Sequence, residues 1–266
     1  MERADMVKKL LYIIGSLLIL SLAAIMISPI ILSLLYSVGI NLSGIISPSL
    51  SGYWDFYIAK PLYLNAFVRS FLVSGGVTLG ALIVSMPAAF VFAKAKMKGK
   101  AIMFTTYIIV MVMPFQVTLL PHYIVSKQLN IYDSLLALII PGIFSCLPVF
   151  LLTQVTKTLQ NDMIEAATLE TSNILRILWS IVIPNIKPGI ICTAVLVFSD
   201  QWNLVAEPLV LIESESKFPL AVILNAFSSQ TLYAFAAVVV FLLPPYLLFS
   251  LFRQDIIEGL GNYKLE

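Results

Sequence analysis

The sequence predicts an all-α membrane protein with about six transmembrane helices and a polar helix-turn-helix between the fourth and fifth. Three observations predict it. The chain is 60% hydrophobic and only 11% charged, against about 25% charged in a soluble domain, and its mean hydropathy is +0.98. Several charge-free stretches exceed the roughly 20 residues that cross about 30 Å of hydrocarbon. Between two of them lies Asn161 to Pro184, which mixes acids, small residues and large hydrophobes.

Each span follows from a run. The first covers Leu10 to Val38, much longer than the roughly 7 to 15 apolar residues of a cleaved signal, and is read as retained. The second covers Val68 to Ala93, and the third Ala101 to Ser126, with Pro114 and Pro121 bending its later part. The fourth is Ser134 to Val155, the fifth runs from Pro184 to Ile212, and the sixth from Leu232 to Phe252. Proline and glycine are tolerated inside spans because neighbouring helices satisfy the freed backbone groups. The Ser/Gly/Pro-rich stretch Asn41 to Gly52 reads as a loop or a partly embedded turn. No span repeats another at a fixed period, so residues 1–266 read as one transmembrane domain containing the polar segment 161–184.

Basic residues set the orientation. The amino terminus, the loop carrying Lys94, Lys96, Lys98 and Lys100, the segment from Lys157 to Lys187 and the tail from Arg253 hold most of the Lys and Arg. The opposite side has Lys60, Arg69, Lys127 and Lys217. The positive-inside rule therefore puts both termini and the polar segment in the cytoplasm of a multi-pass inner-membrane protein. Basic residues scattered through short loops give no nucleic-acid face.

Asn161 or Asp162 fits the cap of a first helix in the polar segment, and Ser172 or Asn173 the cap of a second, Ile174 to Ile181. Thr171-Ser172-Asn173 interrupts them, because these side chains compete for backbone hydrogen bonds. Glu165 stands beside Ala166 and Ala167, which leave little bulk against an approaching surface. A docking element and an amphipathic connector at the membrane interface both fit this pattern. In the fifth span, Asp200, Asn203 and Glu207 fall on one face at 100° per residue, with Thr193 close to it. Such a stripe suits a bundle interior or an aqueous path. Trp202, on another face, suits packing, an interface anchor or a sugar-stacking platform. Cys146 and Cys192 read as small hydrophobes, and the lone His122 as structural polarity. No phosphate-binding GxxxxGK[ST] and no metal spacing occur.

The spacing of Glu165-Ala166-Ala167, Thr171, Ile181 and Ile183-Pro184 resembles the EAA motif of importer-type ABC permeases, EAA-x3-G-x9-I-x-L-P. Thr171 stands at the motif's glycine, which leaves the turn to Ser172 and Asn173, and Ile183 stands at its leucine. Asn65-Ala66-Phe67 with Ser70, the run Ala88 to Lys94, Lys98-Gly99-Lys100, Met113 to Pro121, and Trp202-Asn203 with Pro208-Leu209 resemble the carbohydrate-importer branch of that family. The ordered set spans nearly the whole chain and is similar to the six-span, maltose-type permease subunit.

That resemblance implies a permease that carries oligosaccharide or a related carbohydrate and is not itself an enzyme. It implies no cofactor on this chain, with ATP used by two cytoplasmic ATPase subunits. Further implied partners are a second homologous permease subunit, an exterior solute-binding protein and membrane lipid, with no nucleic acid. It assigns ATPase coupling to Glu165, Ala166, Ala167, Thr171 and Pro184, and leaves Asp200, Trp202, Asn203 and Glu207 as candidates for the substrate path. An autonomous secondary transporter, which would favour inverted repeats, and a structural assembly subunit are the alternative readings.

Overall fold

The computed structural model describes residues 2–40, 49–54, 58, 61–226 and 232–261. Residues 41–48 of the Ser/Gly/Pro-rich stretch, 227–231 of the loop before the sixth span and 262–266 of the tail lie outside the described residues. In chain order the helices are α1 (Glu2–Ser37), α2 (Ser51–Trp54), α3 (Pro61–Lys94), α4 (Lys100–Met111) and α5 (Phe115–Gln128). There follow α6 (Leu136–Ile143), α7 (Cys146–Lys157), α8 (Asn161–Glu170), α9 (Ile174–Ile177) and, after a π-helical stretch Leu178–Val182, α10 (Ile183–Asn185). The remainder are α11 (Lys187–Trp202), α12 (Ala206–Leu211), α13 (Leu220–Asn225), α14 (Leu232–Leu251) and α15 (Arg253–Gly261).

Among the described residues, 4 helices are long and apolar enough to cross a membrane, or up to 6 if each of two bent pairs is one span. The bent pairs explain where the expected spans depart from straight rods. The third span breaks between α4 and α5 with a 92° bend, because Pro114, at φ −58° and ψ 132°, has no N–H to continue the ladder. Pro121 lies inside α5 without ending it. The fourth is interrupted between α6 and α7, where Ser145 is extended at ψ 141°. The fifth starts at Lys187 rather than Pro184, since Pro184 belongs to α10 and the chain bends by 83° before α11. The second starts earlier than Val68, so Arg69 lies within helix α3 and not in a loop.

The chain falls into two compact units. One comprises residues 1–61 and 227–241. In it, Tyr36 stacks on Phe235 with ring centroids 5.0 Å apart. Ser37 donates to the Leu34 carbonyl at 2.7 Å and shares a 2.8 Å hydrogen bond with the Tyr53 hydroxyl. The apolar side chains of α1, among them Leu17, Ile19 and Met26, are exposed, as lipid contact requires.

The other unit comprises residues 62–226 and 242–266. Its axis is α3, whose buried Ala66, Ser70, Val73, Val77, Ala81, Ser85 and Ala89 recur at three- and four-residue spacing, one face of a helix. Val73 and Val77 pack with Ala137 and Leu138 of α6, Val197 of α11, Leu211 of α12 and Ile212. Small residues set these crossings. A Cβ on Gly80 would stand 2.5 Å from Ile143, and one on Gly189 would stand 2.4 Å from Val155. Buried hydroxyls of Thr78, Thr153, Thr156 and Thr193 each donate to the carbonyl one turn earlier, so they add no unpaired donors to the interior. The tail helix α15 lies on α11: Ile256 meets Cys192 and Val195, and a Cβ on Gly259 would be 3.0 Å from the Pro188 carbonyl oxygen.

Candidate functional site

The segment 161–185 folds as a helix-turn-helix with an inner and an outer face. Ile164 and Ala167 of α8, Ile177, and Leu178 and Val182 of the π-helical stretch are buried with Phe90 of α3, Val155 of α7 and Ile186. Glu165, Ala166, Leu169, Ile174, Leu175 and Trp179 are exposed. Ala167 therefore faces inward at 4% exposure, and of the two alanines only Ala166 lies on the outer face. Pro184 is exposed at the bend before α11.

The turn between α8 and α9 needs no glycine. Thr171 is extended, with φ −150° and ψ 137°, a conformation open to any residue. Its hydroxyl oxygen accepts from the Asn173 N–H at 3.2 Å. The Asn173 carboxamide oxygen accepts from the N–H groups of Leu175 at 3.0 Å and Arg176 at 3.3 Å, which caps α9. Of the two cap candidates, Asn173 is the one used. Asn161 is the first residue of α8 rather than its cap, and Gln160 precedes it with no side-chain cap. Asn173→Ala is expected to lower stability by about 1 kcal/mol. Thr171→Gly is expected to lower it by about 0.5–1 kcal/mol through lost ordering of the turn. Thermal unfolding of the detergent-solubilised protein measures both, and a Thr171→Gly protein more stable than wild type would overturn this account of the turn.

Lysines at the end of α3 and in the α3–α4 connection meet this segment. Lys94 Nζ donates to the Leu159 carbonyl at 2.5 Å and to Asn161 Oδ1 at 2.9 Å. Lys96 Nζ pairs with Glu165 Oε1 at 3.1 Å, with side-chain exposures of 89% and 63%. A cleft of about 570 Å³ runs between the two elements, lined among others by Lys94, Lys96, Lys100, Asn161, Glu165 and Thr168. Pairwise spacing along the sequence held no sign of these contacts, which join residues more than sixty positions apart.

The fifth-span stripe does not form as expected. Helix α11 ends at Trp202, Asn203 adopts φ −89° and ψ 7°, and a new helix starts at Ala206, so Asp200, Asn203 and Glu207 share no continuous face. The reason is Pro208. An unbroken helix would put its ring against the carbonyl four residues earlier, whereas in the first turn of α12 its missing N–H costs nothing. Asn203 Nδ2 donates back to the Ser199 carbonyl at 2.7 Å. Asp200 and Asn203 are exposed, and Glu207 lies in the first turn of α12. Trp202 is 1% exposed, edge-on to Phe67 at 5.4 Å and stacked on Phe198 at 5.6 Å. Gln201 Nε2 donates to Asp200 Oδ2 at 3.2 Å, and its Oε1 is buried without a partner among the described residues.

A second polar cluster escaped the sequence reading. Asp133 sits at φ 56°, and its carboxylate accepts from the backbone N–H groups of Glu213 and Ser214, the Ser214 hydroxyl and Lys217 Nζ, at 3.0, 2.9, 2.7 and 2.6 Å. Lys217 and Ser214 hold this carboxyl well below the usual carboxylate range. Arg69 Nε donates to the Phe218 carbonyl at 3.1 Å, and Leu220 N–H to Ser70 Oγ at 2.8 Å. The 211–220 segment is thus tied at both ends. The available signal was Asp133 beside a turn, since Asp tolerates the left-handed region better than most residues.

Comparison with known proteins adds the family. The model of the family described as "Binding-protein-dependent transport system inner membrane component" matches residues 81–258. The chain is 26% identical over 233 residues to the arabinooligosaccharides transport system permease protein of Bacillus subtilis, covering 85% of this chain and 82% of that relative. It is 26% identical over 220 residues to the sulfoquinovosyl glycerol transport system permease protein of Agrobacterium fabrum, covering 80% and 77%. Its fold matches a chain of a bacterial ABC transporter involved in the import of the acidic polysaccharide alginate, with TM-score 0.81 and 18% identity, covering 92% of this chain and 96% of that one.

Proposed function

This chain belongs to the family of binding-protein-dependent transport system inner membrane components, and we propose that it is the permease subunit of an ABC importer for an oligosaccharide or related carbohydrate. The observation that carries this reading is the two-faced helix-turn-helix. Ile164, Ala167, Ile177, Leu178 and Val182 seat it on the ends of α3 and α7. Glu165 and Ala166 stand outside together with the large apolar side chains of Leu169, Ile174, Leu175 and Trp179. A loose interfacial connector would not bury a continuous apolar face of both helices in protein. An exposed apolar surface beside an exposed carboxylate suits a docking partner.

The assignment of partners and sides belongs to the same proposal. Residues 1–266 form one permease domain whose coupling element is 161–184, with both termini and that element on the cytoplasmic side. Two ATPase subunits dock there and hydrolyse ATP, and this chain binds no cofactor. A second homologous permease completes the path, and an exterior solute-binding protein delivers the sugar. Asp200, Asn203 and Glu207 remain candidates for solute contact, whereas the enclosure of Trp202 by Phe67 and Phe198 favours packing. The permease names of the two relatives support the carbohydrate class. Thr171 and Pro184 shape the coupling element rather than touching the partner. ATPase motion then changes which side of the path is open.

The test is assembly. A tagged chain co-expressed with an ATPase, a second permease and a binding protein from its own genome is expected to purify as a complex. Its ATP hydrolysis should rise when the binding protein carries carbohydrate. Recovery of this chain without ATPase, under conditions that keep the two permeases together, would overturn the proposal.

A further inference from the structure

We propose that Lys94 is a positioning residue: its ammonium fixes coupling helix α8 to α3, so that the two move as one body. The inference rests on the coupling role proposed for α8. Lys94 is the last residue of α3, a continuous helix of 34 residues. Its Nζ lies 2.5 Å from the Leu159 carbonyl, 2.9 Å from Asn161 Oδ1 and 3.4 Å from the Lys157 carbonyl. These acceptors are the last residue of α7, the connector and the first residue of α8. An ammonium has three donors, and the final carbonyls of a helix lack intrahelical partners and carry its negative pole. One side chain from α3 therefore grips the corner at which α7 turns into α8.

Two other contacts hold α8 at this corner. The apolar cluster of Phe90, Val155, Ile164 and Ala167 is held by a non-directional force. The Lys96–Glu165 pair is exposed on both sides, is worth little in that setting, and is given up when Glu165 meets a partner. Lys94 keeps the Lys157 and Leu159 carbonyls in that event, because both are backbone acceptors of the α7–α8 corner and precede α8. At the other end of α3, about 38 Å away at 1.5 Å per residue, Arg69 and Ser70 hold Phe218 and Leu220. Displacement of α8 thus reaches the 211–220 segment along α3, which stays helical past its internal Pro87.

The experiment places spin labels at Val91→Cys on α3 and Glu170→Cys on α8, in a Cys146→Ser, Cys192→Ala background, and measures the distance distribution by pulsed electron paramagnetic resonance. The full chain is used alone and in the assembled complex. Lys94→Met keeps most of the apolar stem but no donor. It is expected to broaden the distribution roughly twofold, while Lys94→Arg, which still reaches the carbonyls, is expected to restore it. In the assembled complex, Lys94→Met is expected to keep basal ATP hydrolysis within about twofold and to lose stimulation by the loaded binding protein. An unchanged distribution in Lys94→Met overturns the proposal, and so does intact stimulation. Failure of any ATPase to assemble with the wild-type chain would instead defeat the coupling role of α8, and the distances in the chain alone would still decide whether Lys94 locks the corner.

Discussion

Glu165→Lys is expected to reduce the ATPase recovered with the purified permease at least about tenfold, a loss of about 1.4 kcal/mol or more, while membrane abundance stays near wild type. Glu165 is exposed and its carboxylate pairs with Lys96, which is also exposed, so the folding cost of replacing it is small, within about 0.5–1 kcal/mol. A partner's cation meeting this carboxylate at a closed interface loses far more, because reversal leaves two like charges facing each other. Lys96→Ala separates the two effects. It removes the intramolecular pair but keeps the carboxylate, and co-purification should then remain at the wild-type level. Equal recovery of ATPase by Glu165→Lys and wild type would remove Glu165 from the interface.

Trp202→Ala is expected to be the most destabilising single change among the candidate site residues, at about 3–5 kcal/mol. The ring is fully enclosed, with Phe67 edge-on and Phe198 stacked, and each such pair adds about 0.5–1.5 kcal/mol beyond area burial. Immersion in lipid does not rescue the loss. What the cavity forfeits is contact with neighbouring atoms, and packing is what holds membrane helices together. Thermal unfolding in detergent should show a much lower midpoint for Trp202→Ala and a nearly normal one for Trp202→Phe. An unchanged midpoint combined with lost carbohydrate uptake would move Trp202 from packing to the substrate path.

What the sequence disclosed was governed by range. Hydropathy located the apolar runs that carry the candidate spans, because crossing hydrocarbon is a local requirement on composition, but it missed the early start of α3 and the bends that break the third and fifth runs. The polar segment was visible because its residues are contiguous, and Asn173 was one of two residues with cap chemistry in the right place. Periodicity failed at Asn203. The projection assumed an unbroken helix, although Pro208 was present to argue for a restart. Ala167 was misplaced because neighbouring small residues look alike until the helix is seated against Phe90 and Val155. Lys94, Asp133 and Arg69 act across long sequence separations, and no pattern in a single sequence records such pairs. The turn at Thr171 is the instructive case: a glycine in the family pattern suggested special backbone geometry, and here an extended threonine with a hydroxyl acceptor makes the corner.

The seating of α15 on α11 has a consequence for the order of synthesis. Gly259 lies against Cys192 and the Pro188 carbonyl, and Ile256 closes the contact with Val195. Residues 187–202 leave the ribosome well before residues 253–261 exist, so α11 enters the membrane with the groove at Pro188, Cys192 and Val195 uncovered. Chains fold largely from the amino terminus as they are made, and here the fifth span must wait for the last helix. A product halted after the sixth span would be inserted but unfinished, with that groove displayed to any protease that surveys the bilayer.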